Sequence, residues 1–232
     1  LALSVARAVS APPRRSDALF ILFGVCPRTC LATGLHDCAG YTISEPSPAS
    51  PGYGSVASNW DGQWYHSIAA EGYPSTIPRD AAGHALQNQW GFYPVYPLLV
   101  GAIMRITGIG FMVVAPLLSV LLGAAAVTVM FRLVSQSLGR FAASATVLLT
   151  CTYMAAPAMQ IDYTESLALL LLCTGLLLLR NRRYGWLVPV LMTLALTRAV
   201  VLAFVPVLVV HGVSRWRRRS EEPFPISGRC RW

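Results

Sequence analysis

The sequence predicts an all-α fold: a polytopic transmembrane helical bundle with extracytoplasmic loop helices. Three observations predict it. Of 232 residues, 55% are hydrophobic and 12% charged, with a mean hydropathy of +0.54, which is too apolar and too charge-poor for an ordinary soluble domain. From Gly110 onward the chain is a series of apolar runs, and the first of them, 110–131, would reach about 33 Å as a helix, enough to cross a bilayer. Arginines gather between those runs, at Arg132 and Arg140, at 180–183 and at 215–219. The net charge of +8 is therefore a topology signal. A nucleic-acid partner is not expected, because that would require a continuous basic face.

The first segment, 1–57, carries Pro12-Pro13 and Arg14-Arg15, then a short apolar run, 18–26, and a Pro-, Ser- and Gly-rich stretch, 36–57, that reads as a loop. The apolar run fits either a weak first transmembrane helix or a signal sequence. Both readings leave Arg14-Arg15 in the cytoplasm and the loop 36–57 outside. Residues 58–74 are polar and aromatic. If they are helical, Trp64 and Tyr65 share one side with Asp61, at positions i+3 and i+4. That is a way to hold and activate a sugar, and the same aromatics also fit an interfacial belt. A solvated loop, 75–89, with Arg79, Asp80 and His84, leads to Trp90-Gly91-Phe92-Tyr93-Pro94-Val95-Tyr96-Pro97. Here the prolines mark a helix start. The next apolar piece, 98–106, contains Arg105 and is about half a bilayer long, which suggests a re-entrant or interfacial helix.

The membrane domain, 58–213, has expected spans at about 110–131, 141–159, 161–179, 184–198 and 199–213. Residues 214–232 read as a basic cytoplasmic segment on anionic lipid. Because the chain starts at Leu1 and stops soon after that cluster, a truncated protein is expected. Exclusive use of Arg over Lys points to a GC-rich, bacterial source. Cys26, Cys30 and Cys38 lack partners at zinc spacing, and Cys151 and Cys173 lie in apolar runs, so no metal site is expected.

If every arginine cluster is cytoplasmic, alternate crossings put Asp162, Glu165 and Arg198 on the outer side, with Asp61. The stretch 184–213 must then go out and return in arms of about 22 Å, leaving Arg198 below the outer surface, near lipid phosphates. A charge held there is a functional candidate; snorkelling or a purely structural pair with Glu165 is the competing reading. Asp162 and Glu165 also fit helix N-terminal carboxylates favoured by the macrodipole. His66 and His211 read as interfacial and capping residues.

Three separated signatures now stand together: Trp60-Asp61-Gly62-Gln63-Trp64-Tyr65 with Gly72-Tyr73-Pro74, then Phe92 to Leu98, then Tyr163-Thr164-Glu165-Ser166 followed by Leu196-Thr197-Arg198. In order and spacing this set resembles the PIG-V-type mannosyltransferases, members of the GT-C class of polytopic glycosyltransferases. The resemblance implies a GT-C-like membrane bundle and transfer of mannose, with inversion, from a polyprenyl-phosphate donor to an acceptor hydroxyl outside. It gives Asp61 the role of general base and Arg198 that of donor-phosphate ligand. Trp60, Trp64, Tyr65, Tyr93, Tyr96 and Glu165 become substrate-binding residues. No metal and no cofactor is implied. The implied partners are the polyprenyl-phosphate-linked sugar donor, the lipid bilayer, an unknown glycan or lipid acceptor and a partner subunit; the setting is the bacterial plasma membrane, or the endoplasmic reticulum membrane in a eukaryote. Related sequences carry a Pro soon after the Thr-Arg pair, where this chain has Ala199-Val200-Val201. The alternative function is a non-enzymatic membrane protein, a lipid-linked sugar transporter or a scaffold subunit, which needs no carboxylate in the first outer loop.

Overall fold

The computed structural model describes residues 52–79 and 83–217. The expected first transmembrane or signal segment, Asp80, the cluster Cys26, Cys30 and Cys38, and the basic segment after Arg217 lie outside the described residues. Within them the structure is all-helical, with a single isolated bridge, Arg79 to Ala85, and no strand. The helices are α1 (Tyr53–Ala57), α2 (Asp61–Glu71), α3 (Val95–Thr107), α4 (Phe111–Thr152), α5 (Glu165–Arg180), α6 (Tyr184–Ala195) and α7 (Phe204–Arg217), with 3-10 turns at Gln89–Gly91, Ala156–Met159 and Ala199–Ala203.

Helix α4 is two arms. At Gly139 the backbone takes φ 85°, a conformation open to glycine, and this one residue separates 111–138 from 140–152. Contacts with α5 fix the direction of the first arm. A Cβ on Gly123 would lie 3.3 Å from Ser166 Oγ, near the start of α5, while Arg180 at its end donates to Ser137 Oγ (2.8 Å) and Gln136 O (2.5 Å). Thus α5 runs parallel to the first arm, and 140–152 must bring the chain back between them. The expected loop 132–140 is instead helix up to Leu138. Ser135 and Ser137 fold their hydroxyls onto the carbonyls of Arg132 and Leu133, so polar residues that look like a loop are carried on the helix. The return arm ends at Thr152 and not at 159, and α5 begins at Glu165 and not at 161.

From Arg180 the chain turns at Arg182 (φ 57°) and α6 runs back beside α5, placing buried Leu194 against Ala168. The Arg198 N–H closes the end of this arm on Leu194 O at 2.8 Å. With no proline to shape it, Ala199–Ala203 forms a 3-10 turn and α7 descends. Phe204 packs on Gly175, and Tyr184 Oη meets His211 Nε2 at 2.9 Å. Arg180, Arg183 and Arg215 therefore share one end of the bundle, and Thr164, Glu165 and Arg198 the other.

A second layer covers the N-terminal part of α4. Helix α2 crosses α3 so closely that a Cβ on Gly101 would sit 2.6 Å from Ala69 O. Their shared core is Tyr65, Ala69, Tyr96, Val100, Phe111, Val114, Ala115 and Leu167. Among the described residues, two stretches are long and apolar enough to cross a membrane, Phe111–Thr152 (42 residues) and Ala199–Arg217 (19 residues). In the second, only 6% of the apolar window is buried.

Candidate functional site

Helix α2 begins at Asp61, so the carboxylate occupies the first turn, where the aligned backbone amides favour a negative charge. The approach is a tight corner. Trp60 takes φ 56° with its N–H bonded to Asn59 Oδ1 at 2.9 Å, and Asn59 Oδ1 also accepts from Gln63 Nε2 at 3.2 Å. Across from this corner stands the start of α5. Arg198 Nη1 donates to Glu165 Oε1 at 2.5 Å and to Thr164 Oγ1 at 3.1 Å, and Thr164 lies beside the Tyr65 hydroxyl. Residues from α2, the head of α5 and the α6–α7 turn thus converge, although they are up to 137 positions apart in the chain.

Burial pushes the Asp61 carboxyl above the usual carboxylate range; the nearby Glu165 charge adds to this, and Arg198 works against it. A carboxylate poised in this way is a better proton acceptor than one in water. The Tyr65 phenol, pushed up to about 12 mainly by burial, is a hydrogen-bonding group and not a working acid. The Arg198 side chain remains 46% exposed despite its pair with Glu165, so the rest of its fork is open to an anion. Glu165 Oε2 is buried and has no hydrogen-bond partner among the described residues.

No family model, curated protein or solved structure matches this chain.

Of the residues singled out in the sequence, Asp61, Tyr65, Glu165 and Arg198 come together. The other four are placed differently. Trp60 makes the corner. The Trp64 ring is stacked on Phe92, with centroids 5.7 Å apart. Tyr93 is partly exposed, next to Pro94 at the start of α3, where Val95 N–H reaches Leu196 O at 3.4 Å. Tyr96 is a core residue at 0% exposure, with its hydroxyl on Ala115 O and Ser119 Oγ, because its position in the first turn of α3 faces α4 and not the cluster.

Asp162 does not start a helix. It sits in the connection before α5, fully buried, with Ser58 Oγ donating to its Oδ2. Sequence reasoning gives no role to Ser58, Thr164 or Tyr163, because a hydroxyl a few positions or fewer from an acidic residue carries no spacing signal. The Thr164-Glu165 pair is readable as a two-pronged holder for Arg198 only once Arg198 is placed on the same side. His66 is stacked on Phe111 at 4.6 Å, which makes it part of the packing between α2 and α4.

Proposed function

We propose that this chain is the membrane domain of a multi-pass glycosyltransferase that moves mannose from a polyprenyl-phosphate donor to an acceptor hydroxyl on the extracytoplasmic side. The observation that carries the reading is the convergence of Asp61, Glu165 and Arg198 at the end of the bundle opposite Arg180, Arg183 and Arg215. Exposed apolar faces on α4 and α7 support a lipid surrounding, since a soluble domain does not leave such surface bare.

In this reaction the acceptor oxygen forms a bond to the anomeric carbon as the bond from that carbon to the phosphate oxygen breaks, with inversion. Asp61 takes the acceptor proton. The leaving group departs as polyprenyl phosphate, already an anion, so it requires a fixed positive charge and not an acid. Arg198 supplies that charge through the open part of its fork, and Glu165 holds Arg198 while its free oxygen accepts from a sugar hydroxyl.

The test is transfer of labelled mannose from polyprenyl-phosphate mannose by membranes containing the full-length protein. Asp61→Asn is expected to abolish transfer while membrane expression is unchanged. Retained turnover would remove the general-base assignment. Absence of transfer by the wild-type protein, together with donor binding, would favour a transporter or scaffold.

A further inference from the structure

The connection between the return arm of α4 and α5 grips the α1–α2 corner at four points. Tyr53 Oη donates to Gln160 O (2.8 Å), Asp162 N–H to Ala57 O (3.2 Å), Tyr163 Oη to Asn59 O (3.4 Å), and Ser58 Oγ to Asp162 Oδ2. Only the last involves a buried charge. Asp162 is at 0% exposure and Ser58 at 5%, and Asp162 Oδ1 has no hydrogen-bond partner among the described residues. An acceptor oxygen held this far from water depends on the hydrogen bond that Ser58 gives it, and losing either partner leaves the other buried and unpaired. Its place in the chain is specific: Ser58 lies three residues before Asp61, and Asp162 three before Glu165. A Cβ on Gly62 would be 3.6 Å from Asp162 Cβ, so α2 begins directly against this residue.

We infer that Asp162 is a positioning residue that fixes the Ser58–Asp61 corner against the head of α5 and so aims Asp61 at the Glu165–Arg198 pair. The catalytic consequence rests on the function proposed above; the positioning itself does not. Asp162→Ala removes the acceptor, Ser58→Ala removes the donor, and Asp162→Asn keeps an oxygen for Ser58 Oγ.

The experiment is amide hydrogen exchange on the full-length protein in lipid nanodiscs, read in peptides covering 56–63 and, as an internal control, 166–195. For Asp162→Ala and Ser58→Ala, exchange at 56–63 is expected to rise at least about tenfold, with the control peptides unchanged. Asp162→Asn should stay within about threefold of wild type. Should Asp162→Ala not fold, Ser58→Ala carries the same test with Asp162 intact. Unchanged exchange at 56–63 in Ser58→Ala, or a rise in Asp162→Asn equal to that in Asp162→Ala, overturns the inference. Mannose transfer measured on the same samples separates the two readings. A protected corner lost without any wild-type turnover leaves the positioning intact and removes the glycosyltransferase. Turnover lost in kcat with KM kept, and restored in Asp162→Asn, supports both.

Discussion

Adding a single methyl group at Gly101 tests whether the crossing of α2 and α3 sets the position of Asp61. The Cβ of Gly101→Ala would lie 2.6 Å from Ala69 O and 3.2 Å from Ala69 Cα, both backbone atoms, so no side chain can move aside to relieve it. Restoring an ordinary contact of 3.4 Å moves α2 away from α3 by about 0.8 Å. Overpacking of this kind costs about 2 kcal/mol. The better helix propensity of Ala over Gly returns about 1 kcal/mol. The net loss is about 1 kcal/mol, a fall of about 3 °C in the unfolding midpoint for a chain of this size. Because α2 carries Asp61, a displacement approaching 1 Å should lower transfer on the order of 100-fold. The assay is thermal unfolding of the purified full-length protein alongside mannose transfer, with Gly212→Ala in α7 as the control, since a Cβ there meets nothing within 4 Å. The control should be as stable as wild type or more so. A Gly101→Ala protein as stable as that control would refute the close crossing and the dependence of Asp61 on it.

Three further outcomes are expected. Arg198→Lys replaces the fork with a point charge and loses one charge-assisted hydrogen bond of about 1.5–3 kcal/mol, giving about a 10- to 150-fold loss of transfer; activity within threefold of wild type would refute the phosphate role. Asp61 must be ionised to act as a base, so transfer rises with pH through its raised pKa. Glu165→Gln removes a charge that raises this pKa, so the midpoint of the pH–rate profile should move to lower pH. Arg198→Gln should move it the other way, and shifts of the opposite sign would rule out the electrostatic coupling. The Asp162 carboxyl lies outside the helices and is pushed up to about 6 by burial, against the Ser58 hydrogen bond. Its folded pKa exceeds the unfolded value, so the fold favours the protonated form, and stability falls as pH rises from about 4 to about 6, by about 3 kcal/mol in total. Unfolding midpoints of Asp162→Asn measured over that window should lack this slope, and an unchanged slope would show that another group is responsible.

Asp61, Glu165 and Arg198 are legible in the sequence because ionisable residues are rare near long apolar runs and the arginine clusters order the chain around them. The helical class is legible for the same reason. The Gly139 turn is not. Ser135, Gln136 and Ser137 have the composition of a loop, and only the bonds of the two serines to carbonyls of the same turn show that they stay helical. The motif around Tyr96 suggests a groove residue, yet whether an aromatic at the start of a helix faces a cavity or a core depends on the crossing of α3 with α4, which no local pattern encodes. Asp162 has the sequence context of a helix-start carboxylate. Its actual partner, Ser58, is 104 positions away.

Helix α6 has only twelve residues, about 18 Å, where a hydrocarbon core is about 30 Å thick. In the bilayer setting proposed above, lipids beside the Leu196–Ala203 turn must thin or tilt to meet it. Headgroups and water are then drawn down to the level of Arg198. A donor whose isoprenoid tail stays among the acyl chains can deliver its phosphate sideways, without being lifted out of the leaflet. For a donor of the proposed kind, substrate capture would then be a search in two dimensions, within the plane of the membrane. A short helix that looks like an incomplete span would then act as the doorway for the substrate.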